Sequence, residues 1–241
     1  MNRYDTGGRD DEFEPGSNGL VLRNRLGITD PKEAEHIETE LLIRAQLDSY
    51  SMLPISQKFD SELICALHHR WLGGLYPFAG QYRTVNVSKN FTTFCPAANI
   101  SQEMERFEQK ELSEHTPLRG LIFADYDSET ERLAYSKMPF PKMRLRSTRE
   151  VATKVAIVHA ELILIHPFRE GNGRLGRWIA DLMAIQGGTA PPAYQLNSDE
   201  ERDKYYLALR RAFINDYDPL TELFVSWIEG ASWPQLLPPR D

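Results

Sequence analysis

The sequence predicts a mainly α protein that carries one small β-hairpin. Apolar residues recur at three- and four-residue spacing along most of the chain, glycine pairs close two of those runs, and alternation of β-branched with polar residues is confined to Tyr82–Ser88. This pattern describes helices packed around a shared core, with a two-strand excursion and no internal repeat.

The first helix begins at Thr29-Asp30-Pro31, where either Thr29 or Asp30 can cap and Pro31 suits a first helical position. It extends to about Ser51 and is expected to bury Leu41, Leu42, Ala45 and Leu47. A second helix, from about Asp60 to Gly73, aligns Leu63, Leu67 and Trp71 and stops at Gly73-Gly74. Tyr82–Ser88 then reads as a strand, Lys89-Asn90 as a turn, and Phe91–Phe94 as a short return strand. Residues 101–115 look helical, while 116–148 mix Pro, Ser, Lys and Arg and read as an irregular insertion. From Glu150 to Ile165 the stripe Val151, Val155, Val158, Leu162 and Ile165 predicts the central buried helix. Leu175, Trp178, Ile179, Leu182 and Met183 predict a second core helix, ended by Gly187-Gly188, and further helices are expected at about 198–214 and 218–230.

With 241 residues, one folded domain is expected over 20–233, with its core at about 55–190, the insertion at about 116–148 and C-terminal helices at about 198–230. Residues 1–19, dominated by Gly, Asp and Glu, read as a disordered arm, and 234–241 as an irregular tail. A net charge of −7 leaves no basic footprint and argues against a nucleic-acid partner. The longest apolar runs fall well short of the roughly 20 residues that span a bilayer, and no signal sequence precedes them, so no membrane partner is expected. Cys65 and Cys95 lack metal-ligand or CxxC spacing and read as two reduced thiols, which suits the cytoplasm and leaves export into a host cell open.

The chemistry is concentrated in the junction between the two core helices, His166-Pro167-Phe168-Arg169-Glu170-Gly171-Asn172-Gly173-Arg174-Leu175-Gly176-Arg177. Gly171 and Gly173 free the backbone to point N–H groups at one spot, directly before a helix whose amino end carries partial positive charge; such a nest binds phosphate. Arg174 and Arg177, three residues apart opposite the apolar stripe, can reach one ligand together. Glu170 adds a hard oxygen of the kind that holds Mg²⁺ with nucleotide phosphates and water. Pro167 pushes His166 out of helical geometry toward the nest, where an imidazole of ordinary pKa can take a proton from an attacking hydroxyl. The bland alternatives are a capping or core histidine and a plain glycine turn; a base, a carboxylate, glycines and two arginines in one segment argue against both. Phe168 reads as an apolar anchor that pins the loop, and His159 and His68-His69 as structural.

This segment resembles the Fic family pattern H-x-F-x-[D/E]-G-N-G-R-x-x-R at every specified position. Gly80–Ser88 is also similar to that family's lead into its flap hairpin, and the resemblance extends over roughly residues 40–230. It implies a Fic-type helical bundle with a small β-hairpin flap, and transfer of AMP from ATP to a Tyr, Ser or Thr hydroxyl of a target protein. By the same resemblance His166 is the catalytic base, Glu170 binds Mg²⁺, Gly171, Asn172 and Gly173 hold the phosphates, and Arg174 and Arg177 orient the β- and γ-phosphates. Thr84, Val85, Asn86, Val87 and Ser88, in a hairpin at about 83–95, would pair with an extended target segment by strand addition.

Family members often carry an inhibitory helix of pattern [S/T]-x-x-x-E-[G/N]. Neither Thr29 to Glu33, followed by Ala34, nor Glu229-Gly230, with Val225 in the Ser/Thr position, completes it. The resemblance therefore implies inhibition in trans by a small antitoxin contacting Arg177, as in toxin–antitoxin members. A Doc-like protein kinase is the first alternative, opposed by the intact Gly171-Asn172-Gly173. A nucleotide-binding interaction module is the second, which His166 and Glu170 make unnecessary. Transfer of UMP or another phosphate-linked group stays open.

Overall fold

Asp30, not Thr29, caps the first helix: its carboxylate accepts the Lys32 N–H at 2.7 Å, and α1 runs Pro31–Met52. The computed structural model describes residues 12–89, 92–119, 121–123 and 143–232. The chain divides into two compact units, Met1–Glu114 with Val158–Ile179 and His115–Ile157 with Ala180–Asp241.

In the first unit, α1 buries Ala45 as expected but not Leu47, and takes polar residues inward beside it. Ala34, Glu38, Ala45, Ser49 and Tyr50 are buried, Leu41 and Leu42 are half-buried, and Leu47 is 39% exposed. A polar seam goes inward because it has partners there: the Trp178 indole N–H donates to Ser49 Oγ at 2.9 Å, and Glu38 receives the donors described below. Helix α2, Ser61–Leu72, is capped by the Asp60 carboxylate on the Leu63 N–H at 2.7 Å and ends at Gly73.

The hairpin is shorter than its sequence suggests. Strand β1, Ser88–Lys89, pairs antiparallel with β2, Thr92–Thr93, in register Ser88↔Thr93. Residues 84–87 keep the alternation, with Val85 and Val87 buried and Thr84 and Asn86 exposed, but they lie outside the ladder. The Val87 carbonyl still accepts the Phe94 N–H across the hairpin at 3.4 Å, but beyond it the Val85 carbonyl accepts from Arg83 Nη1 at 2.7 Å, and Asn86 Oδ1 accepts the Ala97 N–H at 2.9 Å. Asn90 and Phe91 of the expected turn and return strand lie outside the described residues. Val85, Val87 and Phe94 pack as a small apolar cluster under the hairpin. Helix α3, Ile100–Phe107, continues through a π turn at Glu108–Leu112 into a last turn at Ser113–His115.

Residues 12–19 of the expected arm take part in bonded structure. The Glu14 N–H donates to the Val21 carbonyl at 2.8 Å, Phe13 bridges Leu22, and the Glu14 carboxylate accepts the Asn24 N–H at 3.0 Å. Residues 1–11 and the tail from 233 lie outside the described residues.

In the second unit the described ends of the insertion pair as antiparallel strands, β3 Leu121–Phe123 with β4 Met143–Leu145; residues 120 and 124–142 lie outside the description. Helices α4, Thr148–Ile165, and α5, Asn172–Gln186, are the two core helices, whose stretch Val158–Ile179 belongs to the first unit and the rest to the second, and the expected stripe of α4 is buried throughout. Helix α6, Asp199–Ala212, opens on a capping box between Ser198 and Glu201, and α7, Asp218–Glu229, follows.

Candidate active site

Helix α4 hands the chain to a residue in the left-handed region, His166 at φ +54°. Pro167 disfavours helical geometry before it, although the His166 N–H still closes the last turn onto Leu162 at 3.0 Å. The imidazole is 4% exposed, and its Nδ1 lies 3.1 Å from the Ile163 carbonyl. A carbonyl can only accept, so Nδ1 carries the hydrogen and Nε2 keeps its lone pair. Phe94 stacks on the ring at 3.7 Å. Burial, reinforced by the Arg83 and Lys89 charges, lowers the pKa of His166 to about 3. The near-neutral imidazole expected from sequence is therefore corrected to a firmly neutral one, because Phe94 and the helix end exclude the water that would solvate a cation.

One buried arginine ties this histidine to the flap. Arg83 donates from Nε to the His166 carbonyl at 2.8 Å, from Nη1 to Val85, and from Nη2 to the Cys95 carbonyl at 2.5 Å. Its backbone N–H donates to Pro167 at 2.9 Å. Both limbs of the hairpin and His166 thus share one guanidinium fork.

The turn that follows is braced from inside. Asn172 accepts the Phe168 N–H through Oδ1 at 2.9 Å and donates from Nδ2 to the Phe168 carbonyl at 2.7 Å. Its side chain is committed to the loop, so the expectation that it holds phosphate narrows to its backbone N–H. Phe168 is fully buried, as an anchor should be, and stacks on His68 at 4.0 Å. His68 Nδ1 accepts the Gly80 N–H at 2.8 Å, so its Nε2–H donates to the Glu170 carbonyl at 3.0 Å. Gly171 sits at φ +84°, and a Cβ there would stand 2.8 Å from Trp71 Cζ3, so both conformation and space demand glycine.

Helix α5 starts at Asn172, and the N–H groups of its first turn have no partner within the helix. Glu170 and both arginines converge on this end. The Glu170 carboxylate accepts the Gly171 N–H at 2.9 Å and lies 3.5 Å from Arg174 Nη2. Arg174 spans 2.5 Å to Glu38 Oε2 of α1 and lies over the Trp71 ring at 4.8 Å. Arg177 lies across the helix start, with Nη1 3.9 Å from the position a Cβ on Gly173 would take. Arg169, left without a role by the sequence, pairs with Glu12 at 3.0 Å and fastens the N-terminal segment to the loop.

The donor set fits a hard cation bound together with a ligand. Glu170 supplies one carboxylate, and among the described residues no three His, Cys, Asp or Glu side chains converge as a cage. Such a cation would complete its shell with phosphate oxygens and water, which is how Mg²⁺ is usually held. Apart from this centre, a cavity of about 240 Å³ lies at the root of the hairpin, lined by Arg23, Tyr82, Arg83, Thr84, Val85 and Arg169 among others.

The sequence segment predicted to act together is thus brought together, and three residues outside it hold it in place: Glu38, His68 and Arg83. Glu38 left a trace in the sequence, since it lies three, four and seven residues before Leu41, Leu42 and Ala45 and so shares their helical face.

A model of the Fic/DOC family matches residues 58–184, more than half of the chain. The chain belongs to the Fic/DOC family. Its similarity to other Fic proteins extends beyond that stretch. Protein adenylyltransferase VbhT of Bartonella schoenbuchensis is 26% identical over 226 residues, which cover 92% of this chain and 40% of VbhT, so the chain spans well under half of that protein. The probable protein adenylyltransferase y4lH of Sinorhizobium fredii is 29% identical over 201 residues, 83% of this chain and 87% of y4lH. Among solved structures, BepC of Bartonella tribocorum, crystallised with bound AMPPNP, superposes with a TM-score of 0.66 at 19% identity, covering 91% of this chain and 96% of that one; this likeness is one of fold. Among the described residues, no helix is long and apolar enough to cross a membrane.

Proposed function

We propose that this chain is a protein adenylyltransferase that transfers AMP from ATP to a Tyr, Ser or Thr hydroxyl of a target protein. The observation that carries the reading is the tautomer of His166: its Nδ1–H is held by the Ile163 carbonyl, which leaves the lone pair on Nε2 as the proton acceptor, in the same loop as Glu170 and Arg174. Relatives over most of the chain are named as protein adenylyltransferases, in support of the same chemistry.

In this reading Nε2 of His166 accepts the hydroxyl proton as the oxygen approaches the α-phosphorus, and the ring needs no prior deprotonation. The N–H groups at the start of α5 hold the phosphates, and Arg174 and Arg177 orient the β- and γ-phosphates and stabilise the departing pyrophosphate. Mg²⁺ on Glu170 would neutralise phosphate charge. The target lies extended along Thr84–Ser88 and the hairpin, whose sheet has only two strands among the described residues and so offers an edge for strand addition. A small antitoxin that engages Arg177 is the proposed regulator. Cys65 and Cys95 are free thiols, in keeping with action in a reducing compartment.

The test uses ATP labelled at the α- or the γ-phosphate, cell lysate and Mg²⁺, with His166→Ala as control. Protein-bound label from the α position, lost in the control, is expected. Label from the γ position alone would establish the kinase reading, and label independent of His166 would remove the role assigned to it.

A further inference from the structure

Glu38 is 3% exposed and stands on the face of α1 where an apolar residue would be ordinary. Its Oε1 accepts the Tyr76 hydroxyl at 2.6 Å, and its Oε2 accepts from Arg174 Nη2 at 2.5 Å. Its backbone carbonyl accepts the Trp71 indole N–H at 2.8 Å, and the same indole lies beneath the Arg174 guanidinium. One residue of α1 therefore fixes both the cation and the aromatic face on which that cation rests. Arg174 has a second carboxylate within reach, Glu170 at 3.5 Å, four residues earlier in the loop that leads into α5.

We propose that Glu38 is a positioning residue of the AMP-transfer site, holding Arg174 against Trp71 and away from full pairing with Glu170. The proposal rests on the adenylyltransferase reading above. Arginine has five N–H donors in a rigid fork, so a carboxylate on one Nη leaves donors for phosphate. The pair is not a latch that must open, because withdrawing Arg174 would take its counter-charge from a buried carboxylate. Without Glu38, Arg174 would settle on Glu170 as an ordinary i,i+4 partner, and the carboxylate suited to a cation would be engaged by an arginine instead. Glu38 thus acts through Arg174 and touches neither nucleotide nor target.

The opposite sign is a brake, in which Glu38 withholds Arg174 from the phosphates, and one experiment separates the two. Binding of α,β-methylene-ATP with Mg²⁺ is measured by calorimetry for the wild type, Glu38→Gln, Arg174→Ala and the double variant, beside KM for ATP, kcat and melting temperature. Glu38→Gln keeps side-chain volume and an acceptor for Tyr76, and is expected to weaken analogue binding and raise KM about tenfold, a coupling of ordinary size for residues in one polar network. Added to Arg174→Ala, it is expected to change binding less than about twofold, because its partner is already gone. Unchanged or tighter binding by Glu38→Gln, or an equal loss in both backgrounds, would overturn the proposal. If Glu38→Gln does not fold, Glu38→Asp, one methylene too short to hold both partners, is read by the same criteria. Failure of the wild type to bind the analogue would overturn the adenylyltransferase reading itself.

Discussion

The ring of Phe94 lies flat on the imidazole of His166, with centroids 3.7 Å apart and planes 15° apart. A residue of the flap thereby seals the proposed base from water, and that burial is the main reason it is neutral, with the Arg83 and Lys89 charges acting in the same direction.

Phe94→Ala opens the ring to solvent and is expected to raise the His166 pKa from about 3 toward the ordinary histidine value. Titration of the His166 ring by NMR checks it; an unmoved pKa would mean that the helix end alone excludes water. In the wild type the same low pKa predicts no bend near pH 6.5 in kcat/KM that vanishes in a His166 variant.

Stability should fall on mild acidification. His68 and His159 are lowered by burial to about 4 and His166 to about 3, whereas each binds a proton near pH 6.5 in the unfolded chain. Between pH 6.5 and about 4 the unfolded state therefore takes up protons that the folded state refuses. Their contribution to stability is intact above that window and is lost as pH falls through it, by up to about 1.4 kcal/mol per pH unit for each histidine. Urea unfolding at a series of pH values gives the slope, and a His159→Gln variant should reduce it.

Arg83→Lys keeps the charge but replaces a planar fork by a point donor, so the His166, Val85 and Cys95 carbonyls cannot all be served. The expected cost is about 2–4 kcal/mol, on the order of 1–3 kcal/mol for each buried acceptor left unmet. AMP transfer should fall further than nucleotide affinity, because the flap and base lose register while the start of α5 does not. Denaturation and single-turnover kinetics together decide it.

Gly171→Ala meets a left-handed backbone and the Trp71 ring at once, so trimming Trp71 should not restore it. Asn172→Ala frees the Phe168 N–H and carbonyl together and should cost about 1–3 kcal/mol for each group left unpaired. Asn172→Asp should be worse than Asn172→Ala, since it sets a carboxylate against the Phe168 carbonyl. Melting temperatures order the three variants.

Local rules carried the sequence reading far. Asp30, one of two expected caps, does cap, Gly73 and Gly187 terminate, and the stripe of α4 is buried, because capping and periodicity depend on neighbours within a few residues. The same rules misjudged α1, where Leu47 is exposed and Glu38 is buried: which face turns inward depends on partners supplied from elsewhere in the chain. They also overextended β1, since nothing in Thr84–Val87 reveals that an arginine side chain takes the place of a strand partner.

By itself the sequence determined that a base, a carboxylate, a glycine turn and two arginines follow one another between two apolar helices, because twelve consecutive residues cannot be far apart. Tertiary structure alone decided their electrostatics. His166 is neutral because Phe94, seventy-two residues upstream, covers it, and Arg174 is fixed because Glu38, from another helix, shares its charge. Desolvation and counter-charge are properties of what surrounds a group in space, and no local pattern encodes them.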